Sequence, residues 1–442
     1  MPSREPSLLR PRRATLAPGV RLHVLATDRF ATTVCRVAFH RDLGREATAT
    51  ALLGQLLGSA TADHPTREAL AHRLADLYGA GLHVGVERLG DRQLLAASLD
   101  WPTRGVPGRG ATLSEGLGFL REVLTRPLRE GHGPALDHAA VATEARNLVR
   151  SLRSIRDDKA RYATRRCLEL ACEGEPYALD VEGREEDVAA ATPAALAEVH
   201  ARLLATAPVE IHLAGDVSFT EAVAAVRKHL LWDTRAKRPT PAPPAWSTRA
   251  PRRRAVRRVE KDSVSQGKLV MAFRADLEPG SPLLPAALVL AGVLGGSPAS
   301  RLFKVVRETH GLAYYASSSW VAAKGLLVVQ SGIETKNEAR VRRLVLSLAR
   351  EVAGGRLDDL AWQAVREAAR SRVRAMRDDR GSAIGFEQEA SALGLDPRPE
   401  RRLAALEAVT PADVRRVGKR LALDASFFLA GEAKDGAAGA AS

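Results

Sequence analysis

Residues 192–215 read TPAALAEVHARLLATAPVEIHLAG, and residues 410–431 read TPADVRRVGKRLALDASFFLAG. In each stretch a threonine, Thr192 or Thr410, is a good helix N-cap, and the proline after it suits the first helical turn. Each predicted helix runs to an Arg-Leu pair ten residues on, Arg202-Leu203 and Arg420-Leu421. A short apolar strand follows and closes on Leu-Ala-Gly. The shared cap, helix length and strand ending mark an internal duplication.

Working outward, the earlier parts of the two halves also correspond. Val20–Ala26 and Thr32–His40 alternate as a pair of strands, and Lys268–Arg274 repeats the pattern later in the chain. Helical stretches follow at 46–59 and 282–294, then at Thr66–Tyr78 and Ser300–Thr309. Strands come next at 82–88 and 92–100, and at 313–320 and 325–331, before long helices. The predicted fold is α+β: two tandem homologous domains, each a mixed or antiparallel sheet with helices packed on one face. Between them, KRPTPAPPAWSTRAPRRRAVRR (237–258) is too rich in proline for a helix interior or central strand and reads as a solvated, semi-rigid linker. The expected domains are therefore 1–236 and 259–432, and a low-complexity tail at 433–442 is expected to be disordered.

Of the 442 residues, 45% are hydrophobic and 27% charged, which excludes a disordered, collagenous or coiled-coil chain. No stretch approaches the roughly 18 consecutive apolar residues of a membrane span. The N-terminal MPSREPSLLRPRRATL has no apolar core of a secretory signal, so a cytoplasmic protein is expected. Three cysteines, Cys35, Cys167 and Cys172, are an odd number and fit small buried residues better than a disulfide framework. The formal charge of +14 invites a nucleic-acid reading. Most basic residues are interleaved with acids, however, and the dense cluster at Arg252, Arg253, Arg254, Arg257 and Arg258 has no neighbouring aromatics on which bases could stack.

The most specific stretch of the second half is SRLFKVVRETHGLAYYASSSW, residues 300–320, and the first half holds GEPYALDVEGREEDVAAATPAAL, residues 174–196. On these stretches the chain resembles the M16 (insulinase/pitrilysin-like) metallopeptidase family over roughly residues 20–430. In that resemblance Arg307 and Tyr314, seven apart, fall on the family's substrate-binding Arg/Tyr pair. A plainer reading of the same two residues is a helix-terminal arginine near the last carbonyls and a strand tyrosine packed on its sheet.

The family's chemistry rests on an inverted zinc motif, H-x-x-E-H, with a further glutamate downstream. The two histidines, four apart on one helix face, bind the metal, and the glutamate is the base for metal-bound water. The corresponding positions here are Ala51-Leu52-Leu53-Gly54-Gln55. Ala51 and Gln55 stand in place of the histidines, and Gly54 in place of the base. Alanine and glycine offer no ligand atom, and a neutral amide is a poor zinc donor. Neither H-x-x-E-H nor H-E-x-x-H occurs anywhere in the chain. Glu144 lies near the place of the downstream glutamate but has no histidines to join. His64, His72 and His83 are spaced onto different elements and read as surface or packing residues.

The resemblance implies a non-catalytic subunit that pairs as a heterodimer with a zinc-bearing M16 sibling. This chain would hold no metal, the partner would supply zinc and base, and Arg307 and Tyr314 would contribute to peptide binding. An alternative is a scaffold or peptide-capture protein with an M16 shell and no proteolytic role.

Overall fold

The computed structural model describes residues 10–103, 112–231, 240 and 242–431. The predicted tail at 433–442 and residues 237–239 and 241 of the predicted linker lie outside them. The chain forms two compact units, interleaved in sequence. Unit one takes the chain up to Arg153, then 179–245 and 375–392; unit two takes 154–178, 246–374 and the chain from Leu393 on.

Unit one is built on β1 (Arg12–Ala17), β2 (Val20–Ala26), β3 (Thr32–Asp42), β4 (Gly81–Leu89), β5 (Arg92–Pro102) and β6 (Val209–Gly215). Their order across the sheet is β1–β2–β6–β3–β5–β4, with β2 and β6 parallel and all other neighbours antiparallel. Unit two holds β7 (Val256–Asp262), β8 (Gly267–Arg274), β9 (Ala313–Val321), β10 (Leu326–Ile333) and β11 (Ala422–Gly431). Its order, β7–β11–β8–β10–β9, again has one parallel pair, β7 with β11. It repeats β2–β6–β3–β5–β4 strand for strand, so the duplication read from the closing segments extends to the topology. One expectation fails: β2 and β3 are not paired, because β6 lies between them. Every residue of β6 is buried, a condition that only an interior position in a covered sheet provides.

The helices of the first half are α1 (Ala47–Ser59), α2 (Arg67–Asp76), α3 (Leu113–Thr125), α4 (His138–Ser154), α5 (Lys159–Ala171), α6 (Pro193–Thr206) and α7 (Phe219–Leu230). Those of the second are α8 (Leu284–Gly295), α9 (Glu338–Ala353), α10 (Asp359–Ala375), α11 (Arg380–Leu393), α12 (Pro399–Glu407) and α13 (Pro411–Gly418). Thr192 caps α6 by accepting from Ala195 N, and Thr410 caps α13 with a reciprocal box to Asp413. The two closing helices differ in length. α6 continues past Arg202 to Thr206, whereas α13 stops at Gly418, where a Cβ would stand 2.1 Å from the Ala353 carbonyl oxygen.

One face of the first sheet presents Leu22, Val37, Phe39, Leu95 and Ile211 to a core shared with α1, α3, α6 and α7. Burying each such side chain is worth about 1.5–3 kcal/mol. A helix also covers the second face of each sheet, beyond the one-sided packing expected. α11 covers that face of sheet one, and its segment 375–392 comes from the second half of the sequence. α5, from the first half, covers the second face of sheet two through Ala163, Cys167 and Ala171 against Val270, Val328 and Phe427. All three cysteines are free and buried. Burial pushes the Cys167 thiol up to about 12 and the Cys172 thiol up to about 11.

The basic cluster at the end of the predicted linker is not simply solvated. Arg252 N donates to Asp424 Oδ1 at 2.7 Å, Arg249 Nη2 pairs with Asp424 Oδ2 at 3.0 Å, and Arg257 and Arg258 lie in β7. Asp424 and Arg274 are fully buried together, with Arg274 Nη2 3.0 Å from Glu175 Oε1. Among the described residues no helix is long and apolar enough to cross a membrane.

Candidate functional site

Ala51, Gly54 and Gln55 sit on α1, whose sequence ATATALLGQLLGS is apolar nearly all round and therefore packed on several sides. Ala51 is 2% exposed and Gly54 is buried. α1 lies against β4, an edge strand of its sheet. The contact is close because glycine meets glycine: a Cβ on Gly54 would stand 3.3 Å from Gly85 Cα. Gln55 keeps a buried side-chain oxygen that has no hydrogen-bond partner among the described residues. These three side chains do not fit zinc, and no metal chemistry can be routed through them.

Glu144, on α4, is buried and already compensated. It accepts from Arg67 Nη2 at 2.6 Å and from Asn147 Nδ2 at 2.9 Å. An arginine thus occupies the carboxylate that a metal would otherwise neutralise. His64 bonds Glu122 at 2.7 Å, while His72 and His83 are exposed on α2 and β4, so the three histidines do not converge.

Part of the family-like stretch 174–196 acts as a clamp on α1. The helix has no side-chain N-cap. Instead Arg184 N donates to Thr48 Oγ1 at 3.0 Å, and Gln93 Nε2 donates to the carbonyls of Ala47 and Val181 at 2.9 and 2.7 Å. Gly183, at φ +86°, passes so near that a Cβ would fall 2.0 Å from Thr48 Oγ1, and only glycine fits there.

In unit two, residues 303–309 form a π-helical turn rather than the expected α-helix. Gly311, at φ +60°, reverses the chain into β9, donating from its N–H to the Arg307 carbonyl at 3.0 Å. Arg307 is exposed, with its guanidinium stacked 4.6 Å from the centre of the Phe303 ring. Tyr314, at the start of edge strand β9, is 71% exposed, not packed on the sheet. Both side chains are therefore open to solvent on neighbouring pieces of one turn.

A cluster unforeseen in the sequence lies on the second face of sheet one. His23 of β2 and His212 of β6 are partners in the parallel register, as are Arg21 and Glu210. The two imidazoles stack with centroids 4.6 Å apart. His23 Nδ1 lies 3.2 Å from Glu387 Oε1 of α11, and Arg13 pairs with the same oxygen. Glu210 Oε1 accepts from Ser391 at 2.8 Å and pairs with Arg21 at 3.1 Å. Its Oε2 is 3.5 Å from His40 Nε2 and 3.9 Å from His212 Nε2. Burial pushes the Glu210 carboxyl up, but His212 and His40 beside it outweigh that and hold it well below the carboxylate range. Burial, with His23 adding to it, pushes the His212 imidazole down against the pull of Glu210. Among the described residues, His23, Glu210 and His212 form the one group whose metal-ligating atoms converge, all within 4.8 Å of one another. The sequence signal was the pair of alternating triplets Arg21-Leu22-His23 and Glu210-Ile211-His212, which puts the polar residues of each strand on one face.

The peptidase M16 inactive domain family matches residues 190–369. A relative described as a probable inactive metalloprotease, YmfF of Bacillus subtilis (strain 168), is 28% identical over 415 residues, covering 93% of this chain and 96% of its own. A conserved protein from Enterococcus faecalis V583 superposes with a TM-score of 0.87 at 28% identity, over 96% of this chain and 100% of that one. A peptidase M16 inactive domain structure from Pseudomonas fluorescens gives a TM-score of 0.79 at 18% identity, over 96% and 98%. The chain is thus similar to M16 peptidase-family proteins over nearly its whole length, and its first-half helix carries none of the metal ligands of the H-x-x-E-H motif.

Proposed function

We propose that this chain is the non-catalytic subunit of a two-chain M16 peptidase, in which a sibling bearing H-x-x-E-H supplies the hydrolytic zinc and the base. The observation that carries the reading is a contrast between the two units. The α1 positions have no ligand atoms to offer, while Arg307 and Tyr314 stand exposed at a π-helical turn and an edge strand. Single π-helical turns are frequent at functional sites. In this arrangement the Arg307 guanidinium offers a fixed donor fork to a peptide carbonyl, and the Tyr314 hydroxyl can donate to the oxygen on which charge develops. A peptide can extend a sheet at an open edge, where main-chain hydrogen bonds hold it whatever its sequence. The edge strand β4, against α1, is the candidate edge.

The test is recovery of the tagged chain from its own cells under native conditions. Equal amounts of an M16 chain carrying H-x-x-E-H, together with peptidase activity that neither chain shows alone, is the expected result. Recovery without any such partner would move the assignment to a scaffold or peptide-capture role.

A further inference from the structure

We propose that His23, His212 and Glu210 form a binding site for a divalent transition metal of the zinc class, on the second face of sheet one beneath α11. The site is separate from the α1 positions: it uses other strands and the opposite face of the sheet.

Four features of the cluster support it. First, the ligand atoms are spare. Among the described residues His23 Nε2, both ring nitrogens of His212 and Glu210 Oε2 have no hydrogen-bond partner, although His212 is fully buried. Buried polar atoms left unpaired are costly, and one cation placed among them would satisfy a ring nitrogen of each histidine and the carboxylate oxygen. Second, the donor types suit the metal: two neutral imidazoles and one carboxylate are a zinc set with a fourth position free. Third, the spacing is close. Ligands at about 2.0–2.2 Å from zinc stand about 3.3–3.6 Å apart in a tetrahedron, and His212 Nε2 and Glu210 Oε2 are already 3.9 Å apart.

Fourth, a supporting layer fixes which atoms face the metal. Glu387 can only accept from His23, so the proton sits on Nδ1 and Nε2 is left with its lone pair, the carboxylate–histidine–metal relay. Ser391 and Arg21 occupy the other oxygen of Glu210. His40 has a different role. Arg92 can only donate, and its Nη1 is 3.1 Å from His40 Nδ1, so the His40 proton is on Nε2, facing Glu210. His40 therefore has no lone pair free on that side and is not a ligand. Two carboxylates, Glu210 and Glu387, match the charge of the dication, while the guanidiniums of Arg13, Arg21, Arg36 and Arg92 lie around the site. The expectation of a chain without metal rested on the α1 positions and does not extend to this face. The metal would tie β2 to β6 and, through Glu387 and Ser391, fasten α11 to the sheet.

The full chain is unfolded in chelator, refolded with Co²⁺ or Zn²⁺, and freed of excess metal. The expected result is one equivalent of metal per chain and, with Co²⁺, visible bands of a four-coordinate nitrogen–oxygen shell. His212→Ala and His23→Ala each abolish both signals, while Gln55→Ala on α1 leaves them unchanged. Should the histidine variants not refold, Glu387→Gln keeps all three ligands and is expected to weaken affinity about 10–100-fold. Less than a tenth of an equivalent in the refolded native chain overturns the proposal. So does metal that survives both histidine substitutions, or an unchanged affinity in Glu387→Gln. No partner chain enters the measurement, so its outcome is independent of the two-chain peptidase reading.

Discussion

Gly54 of α1 and Gly85 of β4 face each other so closely that a Cβ on the first would lie 3.3 Å from the Cα of the second. The position that carries the base in an intact M16 motif is therefore used here for packing. Grafting the motif as Ala51→His, Gly54→Glu and Gln55→His puts a carboxylate into that contact. The graft is expected to destabilise unit one by about 1–3 kcal/mol from overpacking alone and to leave the chain without peptidase activity. Thermal unfolding and a peptide-cleavage assay check both statements. A stable, cleaving variant would show that the helix–strand contact yields more readily than its geometry implies.

Arg307→Ala and Tyr314→Phe bear on the assigned role of the second unit. Both side chains are exposed, so neither change should lower the melting midpoint measurably. In the partnered complex each is expected to reduce turnover by on the order of 10–100-fold, somewhat less than the loss of a full oxyanion donor. Equal kcat/KM in both variants and the parent would remove these residues from substrate binding.

The buried ionic group of unit two makes a stability prediction. Asp424 and Arg274 have no exposed side-chain surface, and Asp424 also accepts from Arg249 and the Arg252 amide. Asp424→Asn removes one of the two carboxylates, Asp424 and Glu175, that compensate the buried Arg274 guanidinium. A loss of about 3–5 kcal/mol is expected, measured by denaturant unfolding. Arg253→Ala, outside this network, serves as the control.

Acid should weaken the fold before its carboxylates titrate. His200 of α6 is buried, and its Nε2 donates to the Leu124 carbonyl at 2.7 Å. Burial holds its imidazole below the ordinary value, with Arg129 adding to the effect and the Leu124 hydrogen bond opposing it. The unfolded chain therefore takes up a proton that the folded chain refuses. Stability contributed by neutral His200 is full above about pH 6.5 and falls below it by at most about 1.4 kcal/mol per pH unit. His200→Gln keeps a donor for Leu124 and should flatten this part of the curve. An unchanged slope between pH 6.5 and 5 would exclude His200 as its source.

Much of the architecture was legible because strand and helix periods, caps and turns are local signals, and the duplication doubled each of them. The placement of β6 between β2 and β3 was not, since nothing in either strand names its partner. For the same reason Arg249 and Arg252 read as solvated: the residue that binds them, Asp424, is at the far end of the chain. The degenerate α1 positions were legible from residue type alone. The cluster around His212 required a parallel register between strands far apart in sequence, and the π-turn before Gly311 looked like an ordinary helix end.

The exchanged helices set an order of events during synthesis. α5 leaves the ribosome before any strand of the second sheet, so the apolar second face of that sheet finds its cover already made. The first sheet is the reverse. Its last strand ends at Gly215, and residues 375–392 emerge only after about 160 more residues, a delay of roughly 8–32 s at ~5–20 residues per second. Through that interval the waiting surface shows water Arg21, His23, Arg36, Glu210 and His212, beside a small apolar patch of Leu25, Val34 and Ala214. A face that must stand bare while the rest of the chain is made is one that water can wet, and that keeps the nascent chain from sticking to its neighbours.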